Sequence, residues 1–329
     1  MSYMNLTAVF NMTALAQYHH LIAGTTAGLV TTSTLYPLEL VKMRMQVFKK
    51  EAGYGTTSSS IQSVLKKEGP AGLFRGISPA LVASSGSWGG YFYFYELSKQ
   101  RKLQSMAGTH TSRTMGGSTG AIETKEQKLG VKDHLLSGIE AGVMLVFIFN
   151  PIFLIKTRLA LQGADPSKVK YKGGIDAFRT IVREEGIKGL YQGLLPALLL
   201  TSHGAVQFAT YEYMKDILSV AKEAEATPIW VKKNLLDGPV QPLVLGGISK
   251  IIASTSTYPY QVVKSRLMQR GEKGVYKYKG TMDCIAQVWR EGGVRGFFRG
   301  LAPNLIKVAP GAALTFVTYE EMLKYLRSK

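Results

Sequence analysis

The chain has one cysteine, Cys284, among 329 residues. That excludes an intrachain disulfide and leaves the redox compartment open. Charge is missing over long stretches: no Asp, Glu, Lys or Arg precedes Glu39, and none lies between Arg75 and Glu96 or between Lys188 and Glu212. Each gap is long enough for a helix to cross a bilayer, which takes roughly 20 residues. No Gly-Lys dipeptide and no Gly-x-Gly-x-x-Gly occurs, so neither phosphate-cradling loop of nucleotide-binding enzymes is present. The histidines, at 19, 20, 110, 134 and 203, show no metal-ligand spacing, and no metal site is expected. The N-terminus lacks both the arginines of a cleavable presequence and a basic signal-peptide region, so any organelle address is expected to be internal. These absences point away from an enzyme.

What is present is positive charge. The net charge is +18, and mean hydropathy is only +0.04. A basic balance suits nucleic acid, an anionic membrane surface or an anionic substrate. The charge-free runs select a membrane-embedded chain over a nucleic-acid binder. Other apolar runs are weaker: 141–155 contains Asn150, and 251–263 and 308–319 each begin just after a lysine. Low hydropathy then predicts helices wet on one face. A large soluble helical protein is the blander alternative, and soluble folds rarely repeat such runs at one period.

One pattern occurs three times, about a hundred residues apart. Pro37, Pro151 and Pro259 are each followed by a lysine five places on (Lys42, Lys156, Lys264) and an arginine seven places on (Arg44, Arg158, Arg266). Thirteen residues before each proline stands Gly24, Gly138 or Gly246. Such a register implies three related units forming one body. Each unit reads helix, loop with a short amphipathic helix, helix, with long helices at about 18–46, 77–101, 134–162, 194–221, 241–269 and 301–327. The expected division is a tail (1–16), repeats at 17–102, 131–222 and 238–329, a flexible Ser/Thr/Gly-rich linker (103–130) and a shorter one (223–237). An even number of spans places both termini on one side.

The prolines predict kinks. The residue two places after each proline shares a helix face with the lysine five places after it. Where three kinked helices converge, an acid on one can meet the lysine of the next and close one mouth of a pore. Cations that merely anchor single helix ends are common, but three identical offsets argue against that here. A second set, Tyr95-Glu96 with Lys99, Tyr211-Glu212 with Lys215, and Tyr319-Glu320, recurs near the other end of the even helices. Lys250 and Lys307 fall about midway along the fifth and sixth helices. A lysine at the bilayer centre costs about 2.5–3.5 kcal/mol, so both are expected to face a wet interior and an anionic partner. A structural pair with an intramembrane acid such as Glu140 is the competing explanation.

With these motifs the chain resembles the mitochondrial carrier family over almost its whole length. The resemblance implies an all-α membrane protein: a pseudo-threefold bundle of six transmembrane helices with three short matrix helices, sufficient as a monomer. It implies a mitochondrial inner-membrane location with both termini toward the intermembrane space. It also implies alternation between two open states, with a matrix gate of Glu39, Lys42, Gln46, Phe153, Lys156, Gln261 and Lys264 and a cytoplasmic gate of the tyrosine-acid set. Arg75, Gly76, Gly173, Gly193, Gly280 and Gly300 resemble cardiolipin-holding elements. Of three expected matrix-gate acids only Glu39 is present; Phe153 and Gln261 replace the others. Family geometry would pair Glu39 with Lys156, Lys42 with Gln261, and set Lys264 against Phe153. At the other gate it would pair Glu96 with Lys215 and Glu320 with Lys99. A weak matrix gate and a bias toward the matrix-open form are therefore expected.

The phrases Asn150-Pro151 with Phe153, Ser202-His203-Gly204-Ala205, Ser249-Lys250 and Thr257-Tyr258-Pro259-Tyr260-Gln261 look like the FAD/folate branch. FAD or folate would then be a transported substrate and not a cofactor. The NAD and pyrimidine-nucleotide carriers are the neighbouring alternative. Alignment to the family's contact points places Val82, Ala83, Leu199, Leu200 and Lys307 at the binding site, with His203 and Lys250 close by and Trp88 or Tyr91 able to stack on a ring. A proton-leak carrier and a non-transporting membrane adaptor are the readings from other classes.

Overall fold

The computed structural model describes residues 6–48, 50–111, 130–162, 171–223, 240–270 and 277–328. Among them there are helices and no strands. The first repeat contains α1 (Leu6–Val47), α2 (Thr57–Glu68) and α3 (Ile77–Thr111). The second contains α4 (Val131–Gln162), α5 (Gly174–Gly189), α6 (Leu194–Leu199) and α7 (Ser202–Glu223). The third contains α8 (Val240–Ser256), α9 (Tyr258–Met268), α10 (Thr281–Gly296), α11 (Leu301–Ile306) and α12 (Val308–Arg327).

The three prolines act differently. Pro37 and Pro151 lie inside continuous helices. In the third repeat the helix is interrupted at Thr257, and Pro259 sits in the first turn of α9, where its missing N–H costs nothing. The even helices of repeats two and three are also interrupted, after Leu199 and at Lys307. α3 continues to Thr111, into the stretch expected to be linker. The rest of that linker, 112–129, and most of 223–237 lie outside the described residues.

The short helices start on local polar caps. Thr56 and Ser59 form a capping box ahead of α2. The Asp176 and Asp283 carboxylates accept from the backbone N–H of Lys172 and Lys279, each at 2.9 Å, placing an acid in the first turn of α5 and α10. Their apolar faces close three small cores at the end that carries the prolines. Tyr36, Leu40, Tyr54 and Val64 form the first, Leu154, Tyr171 and Ile181 the second, and Val263, Tyr278, Cys284 and Val288 the third. Ala160 of repeat two joins the first core and Met268 of repeat three joins the second, so neighbouring repeats interlock. A large apolar side chain so buried is worth roughly 1.5–3 kcal/mol. The opposite end has no comparable core among the described residues, and its helices splay around a cavity.

Candidate functional site

The end of the bundle that carries the three prolines is held by a cycle of three arginines. Arg44 Nε donates to the Ala160 carbonyl at 3.0 Å, Arg158 Nε to that of Met268 at 3.3 Å, and Arg266 Nε to that of Gln46 at 3.0 Å. Each acceptor lies four residues after the lysine of the next repeat, so the ring closes on itself. Every arginine is also neutralised within its own repeat, by Glu68, Glu185 or Glu291. Such charge-assisted forks tolerate burial because both partners are satisfied. The third is looser: the Glu291 side chain is 33% exposed, against 2% and 3% for Glu68 and Glu185. The three arginines stand out in the sequence by their offset, but nothing there marks their partners across the repeats. Their acids were visible in Glu68-Gly69 and Glu185-Gly186, while Glu291 stands one residue earlier than the matching position, which is Gly292.

The residues expected at the matrix gate meet beside this ring. Lys156 Nζ lies 3.4 Å from Glu39, and Lys307 Nζ bonds the other Glu39 oxygen. One carboxylate therefore serves two cations from two other repeats. Lys264 Nζ lies 4.8 Å from the Phe153 ring centroid, a cation–π contact where an ion pair is absent. The Gln46 amide donates to the Tyr258 hydroxyl at 3.0 Å and its carbonyl accepts from Ser265 at 2.7 Å. The expected Lys42–Gln261 bond is not made. Lys42 is buried, and its ammonium has no hydrogen bond or ion pair among the described residues.

This end is closed in the structure. The arginine ring, the doubly bonded Glu39, the Lys264–Phe153 contact and the Gln46 bridge together replace the missing acids. Gly76 and Gly300 add to the closure. Both have left-handed φ (81° and 83°), and a Cβ on either would lie 2.9 Å from the carbonyl oxygen of Lys156 or Lys42 in the next repeat.

The other end is open. Glu96 pairs with Lys99 on its own helix at 2.9 Å, and Glu212 with Lys215 at 3.9 Å. The cross-helix pairs Glu96–Lys215 and Glu320–Lys99 are not formed. Between the ends lies a cavity of about 1290 Å³, lined by Tyr95, Glu96 and Tyr319 at its mouth and by Glu39, Lys156 and Lys307 at its floor. At 1.5 Å rise per residue, about 28 Å of helix separates His20 at the mouth from Glu39 at the floor. Lys250 lines the wall and has no acid partner among the described residues. Glu140 instead binds Arg101 at 2.6 Å and Lys102 at 3.5 Å, so the acid that pairs with Lys307 is Glu39.

Several expected contact residues do not line this cavity. Val82 is 58% exposed, Ala83 is buried and Leu199 is 44% exposed; Leu200 caps α6. His203 Nδ1 is 3.0 Å from the Thr257 hydroxyl, an interhelical bond at the α8–α9 interruption. The Trp88 side chain lies outside the described residues, and Tyr91 stacks on Tyr95 with centroids 6.1 Å apart. Tyr93 and Phe316, which the sequence reading missed, do line the cavity. Of the expected lipid contacts, Arg75 binds Glu68 at 2.9 Å, Gly193 caps α6, and Gly173 and Gly280 cap α5 and α10.

The segments Lys132–Gln162 and Leu301–Arg327 are long and apolar enough to cross a membrane. These segments and the all-helical architecture fit an α-helical membrane protein. The chain belongs to the mitochondrial carrier protein family, which it matches over residues 14–106, 127–222 and 237–329. It is 38% identical over 325 residues to Folate transporter 1, chloroplastic, of Arabidopsis thaliana, covering 96% of this chain and 98% of that protein. It is 34% identical over 314 residues to Nicotinamide adenine dinucleotide transporter 2, mitochondrial, of the same plant, covering 93% and 78%. Peroxisomal membrane protein PMP34 of Mus musculus is 30% identical, covering 92% and 91%. The family and the named plant relatives are transporters.

Proposed function

We propose that this chain is an alternating-access transporter of the mitochondrial inner membrane that moves folate and/or FAD. The observation that carries the reading is the lysine-walled cavity, open at the tyrosine-acid end and closed at the proline end. Six spans with both termini toward the intermembrane space make the open end cytoplasmic and the closed end the matrix gate. A single bundle holds the whole passage, so a monomer suffices. The N-termini of α5 and α10, at Gly173 and Gly280, with Arg75, Gly76, Gly193 and Gly300, are the places where cardiolipin phosphate would bind.

Charge decides the substrate class. At depth the cavity presents Lys156, Lys250 and Lys307 against Glu39 alone, which favours an anion with more than one negative group. Lys307 meets Glu39 in the closed-floor state. An acidic group of the substrate would take the place of Glu39 at Lys307, leaving that carboxylate only its longer contact with Lys156. Substrate arrival would thereby loosen the matrix gate, binding energy being used where it favours the next state.

Uptake into proteoliposomes of labelled folate, FAD, NAD and UTP tests the reading, with Lys307→Ala as control. Saturable uptake of folate or FAD, abolished by Lys307→Ala, is expected. Uptake of none of the four would overturn it. A second reading, NAD transport, is favoured by relatives named as nicotinamide adenine dinucleotide transporters at 34% and 36% identity. Competition by NAD but not by folate or FAD would select it. Substrate-free proton leak would select a dissipative carrier.

A further inference from the structure

Two histidines left without a role stand at the mouth in matched positions. His20 lies four residues before Gly24, and His134 four before Gly138, the glycines that mark the same point in two repeats. His20 Nδ1 is 2.6 Å from the Tyr319 hydroxyl, with ring centroids 6.1 Å apart and planes inclined by 27°. His134 Nδ1 is 2.8 Å from the Tyr95 hydroxyl, with centroids 6.4 Å apart and an inclination of 23°. One geometry thus recurs on two helix pairs, α1 with α12 and α4 with α3. The third matching position holds Pro242, which can neither donate nor accept through its side chain. The Tyr211 hydroxyl makes no hydrogen bond among the described residues.

We propose that His20 and His134 are positioning residues that park Tyr319 and Tyr95 against the neighbouring helix while the mouth is open. The proposal rests on the reading of the tyrosine-acid set as the mouth closure. Tyr319 adjoins Glu320, and Tyr95 adjoins Glu96. A hydroxyl held by a histidine on the adjacent helix is not available to brace an ion pair across the bundle. Closing therefore requires both parking contacts to break, and the state with an empty, accessible cavity persists until they do. Either imidazole tautomer serves, because a tyrosine hydroxyl both donates and accepts. The asymmetry has a consequence: α3 and α12 are tethered and α7 is not, so α7 is the helix free to close first.

The test uses the full chain in lipid vesicles with Ala312→Cys as reporter, since Ala312 is exposed on the cavity wall. A membrane-impermeant maleimide reads the open mouth. The natural Cys284 stays silent, being buried, with burial pushing its thiol up to about 12. His20→Phe and His134→Phe should each lower the open-to-closed ratio about fivefold, the effect of one hydrogen bond, and the double variant by their product. His20→Phe should add nothing further in a Tyr319→Phe background. Pro242→His should raise the ratio by supplying Tyr211 with a partner. Labelling of the double-histidine variant equal to the parent, while Glu96→Gln with Glu320→Gln alters it, would overturn the parking role alone. If the acid variants also leave labelling unchanged, the mouth-closure reading falls with it.

Discussion

The two ends of the bundle are held by different physics. At the proline end, charge is buried and shared: each of Arg44, Arg158 and Arg266 is 3% exposed or less and binds an acid of its own repeat and a carbonyl of the next. At the mouth, charge is solvated and local, with Glu96 and Glu212 bonded to lysines one turn along the same helix. Buried ionic networks lose a great deal when one member is removed, because the remaining charge is stranded. Exposed pairs lose little. A bundle built this way is firm at one end and adjustable at the other, and a passage that must change its open side has to weaken the firm end selectively. Glu39 is where that is possible, since its two partners belong to the closure (Lys156) and to the cavity (Lys307).

Breaking Glu39 should therefore have the largest effect. Glu39→Gln strands two cations, should cost about 3 kcal/mol of closed-state stability, and should make the proline end accessible to impermeant reagents without substrate. Next comes a comparison within the arginine ring. Glu185→Gln should cost about 2–3 kcal/mol, read as a lower unfolding midpoint, and Glu291→Gln should cost less, because water can reach the one-third-exposed Glu291 position and take part of the carboxylate's place beside Arg266. Phe153 tests the replacement of an ion pair by a ring. Phe153→Leu should weaken closure by about 0.5–2 kcal/mol, and Phe153→Asp should strengthen it by giving Lys264 an acid, both read from conformer populations. The smallest change is expected at the mouth: Glu96→Gln should leave the unfolding midpoint within about 0.5 kcal/mol of the parent while still shifting the open-to-closed ratio.

Repetition made much of this legible. Three prolines, three lysines and three arginines at fixed offsets announced a threefold body, and with the recurring tyrosine-acid set they marked its two ends, because symmetric positions repeat in sequence. Contacts between unlike positions do not. The bond from Lys307 to Glu39 joins a mid-helix residue of repeat three to a post-proline residue of repeat one, and no period connects them. The missing acids suggested a weak matrix gate because the contacts standing in for them leave little trace in sequence: Lys307 and backbone carbonyls fall on no shared period, and Phe153, at an expected gate position, holds Lys264 by a cation–π contact in place of an ion pair. Glu291 was hidden by a one-residue offset, and the histidine–tyrosine contacts required knowing that α1 lies beside α12. The helix interruptions at Thr257 and Lys307 left no signal beyond a proline nearby.

Spin-label distances measured at both ends of one protein test the account most directly. With labels at Lys50 and Lys172 on the proline end and at Gln100 and Ile217 on the mouth, all exposed, adding transported substrate should lengthen the first distance as the second shortens. Two ends that stay fixed under turnover, or that widen and narrow together, would contradict a passage closed alternately at its two mouths.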